Sequence, residues 1–133
     1  MRILIDSDAY IALSSLDDAS NGRANELLDK FSSPDNVWFT TWDVIDEVAT
    51  KLSYRLSKPD ANRFLDKLMN SETSIIFPDE VLLEDAVGVF KSIKSKGVSF
   101  TDCVNMVLCG NYGIDRIFSF DKIYAKQGLR VLS

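Results

Sequence analysis

The stretch "RILIDSDAYIAL" (residues 2–13) runs an unbroken apolar segment into two acids, Asp6 and Asp8, and then returns to apolar spacing. "RILI" (2–5) reads as a buried strand, because a short continuous apolar run with β-branched residues suits a sheet covered on both faces. In "AYIALSSL" (9–16), Tyr10, Leu13 and Leu16 recur three apart, as on one side of a helix. The two acids therefore stand at a strand-to-helix junction. Each could cap the helix, or belong to a site.

Working outward, strands and helices keep alternating. "DDASNGRANELLDKF" (17–31) marks a second helix through Ala24, Leu27, Leu28 and Phe31, and "SSPDN" (32–36) is a turn by composition. "VWFT" (37–40) is a second strand. Thr40 or Thr41 can N-cap the helix "WDVIDEVATKLSYRL" (42–56), with Asp43 in its first turn. Ser57 caps the next helix, which has Pro59 near its start and apolar residues at 61, 64, 65 and 68. "SIIF" (74–77) is a third strand, stopped by Pro78. A long helix over 79–96 is expected to end at Gly97 as a left-handed C′ residue. "SFTDCVNMVLCGNYG" (99–113) reads as a capped helix ending at Gly110 or Gly113. "RIFSF" (116–120) and the weaker "RVL" (130–132) supply the last strands. No repeat, linker or low-complexity stretch interrupts the pattern. The expectation is one α/β domain over 1–133, a parallel sheet of four to five strands with helices on both faces.

Composition narrows the chemistry. The chain has 133 residues, 46% hydrophobic and 26% charged, as expected for a globular domain. No basic leader and no apolar run of membrane-spanning length is seen, so the expectation is a cytoplasmic protein without membrane attachment. There is no histidine, which removes Ser-His-Asp, Cys-His and histidine acid–base schemes. Cys103 and Cys109, six residues apart on one predicted helix, would lie about 9 Å apart, too far for a disulfide. With no histidine and no third cysteine, the usual zinc sites are not available either. Chemistry is left to carboxylates, lysines, hydroxyls or a hard metal ion. The net charge of −5 means that any nucleic-acid substrate would need local bases or a cation to offset the acids.

In parallel sheets, functional groups gather beyond the carboxyl ends of the strands. Asp6 follows the first strand and Asp121 the fourth, and Asp102 lies in the first turn of a helix. Glu47 lies in the helix after the second strand. On that helix, Val48, Ala49, Leu52 and Leu56 fall near Ile45, but periodicity does not single out Glu47 over Asp43 or Asp46. On the later helix Cys103, Val104, Val107 and Leu108 share one side, while Asp102, Asn105 and Cys109 share the other. Asp102 and Asn105 can face the same place.

Taken in order, these segments resemble the PIN-domain family, metal-dependent ribonucleases that include the VapC-type toxins. "ILIDSDAYIAL" is similar to the family's opening strand, catalytic acid and helix. "VWFTTWDVIDEV" resembles the segment carrying Thr40 or Thr41 and then the family glutamate at Glu47. "SFTDCVNMVL" resembles the central aspartate segment at Asp102. "RIFSFDKIYAKQGLRVL" is similar to the closing segment with Ser119 and Asp121. Two departures stand out: Asp8, where the family more often has Ser or Asn, and Tyr124, near the usual Phe and expected to be harmless.

The resemblance implies a three-layer PIN-like domain and a ribonuclease using Mg²⁺ or Mn²⁺. Asp6 and Asp102 are expected as direct ligands, with Glu47 and Asp121 completing the set directly or through water. Ser119, Asn105 and Thr41 would orient ligands, and Asp8 is expected to act as a helix cap or supporting acid. Four acids at one place repel unless a cation or protons intervene, and hard oxygen donors suit such metals. Removing these four leaves 16 acids against 15 bases, so nearly all the net charge belongs to the expected site. Lys51, Arg55, Lys122 and Lys126 are the candidate phosphate contacts, while Lys91, Lys94 and Lys96 are expected to be a plain exposed face. Implied partners are RNA, single-stranded or structured and including tRNA, a small antitoxin, and a second copy of the chain. The competing reading is a PIN-like RNA-binding or scaffold module without turnover. A receiver-type phosphorylation domain would need an acceptor Asp after the third strand, where Pro78-Asp79 is a poor match.

Overall fold

The computed structural model describes residues 1–133. Its elements run β1 (Arg2–Ile5), α1 (Ser7–Ser14), α2 (Asn21–Lys30), β2 (Val37–Thr41), α3 (Trp42–Arg55), α4 (Lys58–Met69), β3 (Ser74–Ile76), α5 (Glu80–Ser92), α6 (Phe100–Asn111), β4 (Arg116–Phe118), α7 (Lys122–Lys126) and β5 (Val131–Leu132). The strands form one all-parallel sheet in the order β3-β2-β1-β4-β5.

Alternation along the strands divides the core. Ile3 and Ile5 join one apolar layer with Val44, Val48, Leu52 and Phe64, so α1, α3 and α4 cover that face. Leu4, between them, joins the other layer with Leu82, Val104, Leu108 and Tyr124, so α5, α6 and α7 cover the opposite face. The result is the three-layer α/β arrangement that the sequence pattern implies. No helix is long and apolar enough to cross a membrane.

The central strand β1 pairs with β2 on one side and with β4 on the other. The chain winds outward through β2 and β3, then returns to lay β4 against β1. This reversal marks a switch point beyond the carboxyl ends of β1 and β4, the position where open α/β sheets place their ligands. Asp6 terminates β1 at that edge, its N–H donating to Phe118 O at 3.0 Å. Ser119 leaves β4 there, its N–H donating to Leu132 O at 3.2 Å.

Several boundaries differ from the sequence expectation. Helix α1 ends at Ser14, and Leu16 is 91% exposed rather than packed. Helix α5 stops at Ser92 because Ile93 turns extended (φ −86°, ψ 117°) and packs against the second core layer. Gly97 is therefore no helix cap, and Lys94 and Lys96 lie on the loop before α6 rather than on a helix face. The left-handed terminating glycine is Gly113 (φ 58°), just past the α6 cap residue Tyr112. Asp79, considered as a phosphoacceptor, instead caps α5 by accepting from Leu82 N at 2.8 Å.

Candidate functional site

At the sheet's carboxyl edge three chain segments each deliver a polar side chain into an otherwise apolar interior. From β1 comes Asp6, 2% exposed; α6 brings Asp102 (8%) and Asn105 (0%); β4 brings Ser119 (0%). Helix α6 is aimed there by a capping box. Ser99 Oγ accepts from Asp102 N at 3.0 Å, while Ser99 N donates to Asp102 Oδ2 at 2.7 Å. Asp102 is thus fixed by its own helix terminus, with Oδ1 left for other partners.

Asn105, one turn on, is the branch point. Its Nδ2 donates to Asp6 Oδ1 at 3.0 Å and to Tyr124 Oη at 3.1 Å. Tyr124, on α7, donates in turn to Asp102 Oδ1 at 3.0 Å. Thr41 closes the group from the β2 side: its Oγ1 accepts the α3 cap bond from Val44 N at 3.1 Å and lies 3.5 Å from Asn105 Oδ1.

On the other flank, Ser119 Oγ lies 3.1 Å from Asp6 Oδ2 and 3.0 Å from Asp8 Oδ2, and accepts from Asp121 N at 3.1 Å. A hydroxyl has one proton to give. Two carboxylates facing that single proton need a further proton or a cation between them. Asp6 reflects this. Burial, reinforced by the charges of Asp8 and Asp102, raises its pKa from 3.8 to about 7. Asp8 is also raised, mainly by burial, although Ser119 and the Phe120 N–H (2.8 Å) oppose the shift. Asp8 Oδ1 is buried with no hydrogen-bond partner at all.

Asp6 and Asp8 do not cap α1 as the sequence suggested. Asp6 occupies the N-cap position but makes no side-chain cap bond, and Asp8 reaches across to the end of β4. Asp121 is exposed at the rim, where its Oδ1 caps α7 through Ile123 N at 2.8 Å. Glu47 is half-buried on α3 and forms an ion pair with Lys51, one turn further along. Lys51, expected to meet phosphate, is committed to Glu47, whereas Arg55, Lys122 and Lys126 are exposed and free of ion pairs.

The structure therefore brings together Asp6, Asp8, Asp102, Asn105, Ser119 and Thr41, holds Asp121 at the edge, and leaves Glu47 with its lysine. Sequence reasoning passed over Tyr124, whose hydroxyl bridges Asn105 and Asp102. The signal was present, since Tyr124 adds a hydroxyl where the resembled pattern has Phe. Cys109 is buried on the same side, its thiol pushed up to about 12 by burial and by Asp6. A cavity of about 500 Å³ lies elsewhere, between α1, α2 and α4 around Tyr10, Leu13 and Phe64, and touches none of these acids.

Hard oxygen donors and an orphaned carboxylate oxygen suit a small divalent cation. No three acids are grouped closely enough to hold one as a ready-made nest. The arrangement fits a cation held by one or two carboxylates that keeps several waters, the usual habit of Mg²⁺.

The five-stranded parallel sheet between two helical layers, with acids at its carboxyl edge, is the PIN-like fold. Among solved structures, VapC20 from Mycobacterium tuberculosis, a sarcin-ricin loop cleaving toxin, matches with a TM-score of 0.87 at 23% identity, over 96% of this chain and 95% of its own. VapBC2 from Rickettsia felis, solved with a DNA fragment from its promoter, matches with a TM-score of 0.70 at 15% identity, over 98% and 97% of the two chains. VapBC-1 from nontypeable Haemophilus influenzae gives 0.69 at 12%, over 98% and 96%. No family model matches the sequence, and no curated protein matches it.

Proposed function

We propose that the chain is a metal-dependent endoribonuclease that hydrolyses RNA phosphodiester bonds, acting as the toxin of a toxin–antitoxin pair. The observation that carries the reading is the pair Asp6 and Asp102, joined through Asn105 and Tyr124 at the sheet's switch point. The fold shared with a sarcin-ricin loop cleaving toxin and with VapBC complexes supports the choice of RNA as substrate and of an antitoxin as partner.

Asp6 and Asp102 would hold Mg²⁺ or Mn²⁺, with Asp8 and Asp121 reached through water. When bound, the cation would supply a hydrolytic water at neutral pH and offset charge on the phosphate. The protein's part is orientation and exclusion. Asn105 and Ser119 fix the two oxygens of Asp6, and the Ser99 N–H and Tyr124 fix those of Asp102. Apolar packing beneath Asp6 keeps bulk water from solvating its charge. Glu47 joins this set only by giving up Lys51, an exchange that a substrate phosphate drawing the lysine away would favour. Arg55, Lys122 and Lys126 are free to meet the RNA backbone. A second copy of the chain and a cytoplasmic setting complete the reading.

Incubating the wild-type protein and Asp102→Asn with structured and single-stranded RNA, with Mg²⁺ or with EDTA, tests it. The expected result is cleavage by the wild-type protein with Mg²⁺ alone. Equal cleavage by both proteins, or cleavage unaffected by EDTA, sinks the nuclease mechanism. Metal binding without cleavage of any RNA favours a binding module without turnover.

A further inference from the structure

We infer that Tyr124 is a positioning residue whose hydroxyl sets the cation affinity of the Asp6–Asp102 pair, an inference that rests on the metal reading above. The hydrogen bonds around it allow only one direction. Asn105 Nδ2 carries two protons, one directed to Asp6 Oδ1 at 3.0 Å and one to Tyr124 Oη at 3.1 Å. Tyr124 has then accepted a bond, and its single proton goes to Asp102 Oδ1 at 3.0 Å. One amide thus serves both acids, directly on one side and through the phenol on the other.

The alternative amide orientation would turn Asn105 Oδ1 toward the Asp6 carboxylate and leave the phenol without a donor. The bond network therefore selects the orientation described. Nothing in this chain of donors can move far: Asn105 and Tyr124 are both fully buried, and the Tyr124 ring belongs to the second core layer. With Ser99 N on Oδ2 and Tyr124 on Oδ1, each oxygen of Asp102 carries one donor and keeps lone-pair capacity for a cation. Phenylalanine at this position keeps the packing but removes the second anchor. Asp102 is then held by its capping bond alone, and one Asn105 proton is left buried without an acceptor.

The sequence resemblance treats the Tyr-for-Phe departure as neutral; the geometry gives it a task. Outer partners of metal ligands typically change metal affinity by about 10–100-fold when removed. Mn²⁺ binding to Tyr124→Phe, measured directly by electron paramagnetic resonance, is expected to be at least about tenfold weaker than to the wild-type protein. Leu68→Ala, a core truncation on α4 in the opposite apolar layer, is the control. It should lower the melting temperature and leave Mn²⁺ affinity in the folded protein unchanged.

Tyr124→Phe that binds Mn²⁺ as tightly as wild type, or more tightly, overturns the inference while leaving the nuclease reading intact. A wild-type protein that binds no Mn²⁺ overturns both. If Tyr124→Phe does not fold, Mn²⁺ titration of Tyr124→Met, a flexible apolar side chain that also lacks the hydroxyl, replaces it. Unchanged affinity there overturns the inference equally.

Discussion

Asp6 and Glu47 are both acids near the carboxyl edge of the sheet, but they are satisfied in opposite ways. Asp6 is held by neutral donors, the Asn105 amide and the Ser119 hydroxyl, and burial, reinforced by the charges of Asp8 and Asp102, raises its pKa to about 7. Glu47 is half-buried, and its charge is already matched by Lys51. Neutral donors orient a carboxylate without cancelling its charge, so the Asp6 region is left wanting a cation or a proton. A lysine cancels the charge and removes that need. On this account the buried cluster is the primary cation site, and Glu47 is in reserve.

The contrast is sharpest in activity. Asp6→Asn should reduce metal-dependent RNA cleavage by more than about 100-fold, beyond the range seen for residues that merely support a ligand. Glu47→Gln should cost less than about tenfold, because its partner Lys51 is released to meet phosphate as Glu47 is neutralised. Rates under single-turnover conditions check both, and equal losses would erase the distinction between the two regions.

A smaller effect is expected at the exposed bases. Substituting Arg55, Lys122 and Lys126 together by Ala should raise KM with little change in kcat, and should flatten the dependence of RNA binding on salt by up to about three phosphate contacts. A fall in kcat with unchanged salt dependence would place these side chains outside the substrate path.

Much of this architecture was legible in the chain because β1 and β2 read as unbroken apolar runs, and because Thr41, Ser57 and Ser99 are recognisable caps whose side chains do accept helix N–H bonds. Legibility failed where a residue's environment is set by distant parts of the chain. Leu16 fits a helical repeat, but α1 ends before it, and no apolar layer reaches that far. Ile93 breaks α5 because the core beneath it outweighs local helix preference, and a Gly97 cap became unnecessary.

The site divides in the same way. Asp102 and Asn105 could be paired from their spacing on one helix face. The Asp8–Ser119 contact joins residues 111 apart, and no local periodicity could forecast it. The Tyr124 departure from the usual Phe read as harmless because only the fold reveals what its hydroxyl meets. Glu47 was selected by resemblance rather than by its helix face, and its pairing with Lys51 is an i, i+4 contact that the sequence did contain.

The direct test of the central claim is thermal melting of the wild-type protein, Asp6→Asn and Glu47→Gln at pH 5 and pH 8, in EDTA and in Mn²⁺. The folded pKa of Asp6, about 7, lies above its ordinary value of 3.8, so between those pH values the folded state holds the proton more tightly than the unfolded chain. Stability contributed by this group is therefore complete below about pH 4 and is lost as pH rises toward 7. In EDTA, Asp6→Asn should gain on the wild-type protein between pH 5 and pH 8. At pH 8, Mn²⁺ should raise the melting temperature of the wild-type protein and Glu47→Gln but not that of Asp6→Asn. An equal Mn²⁺ shift in Asp6→Asn, or its loss in Glu47→Gln alone, would contradict the account.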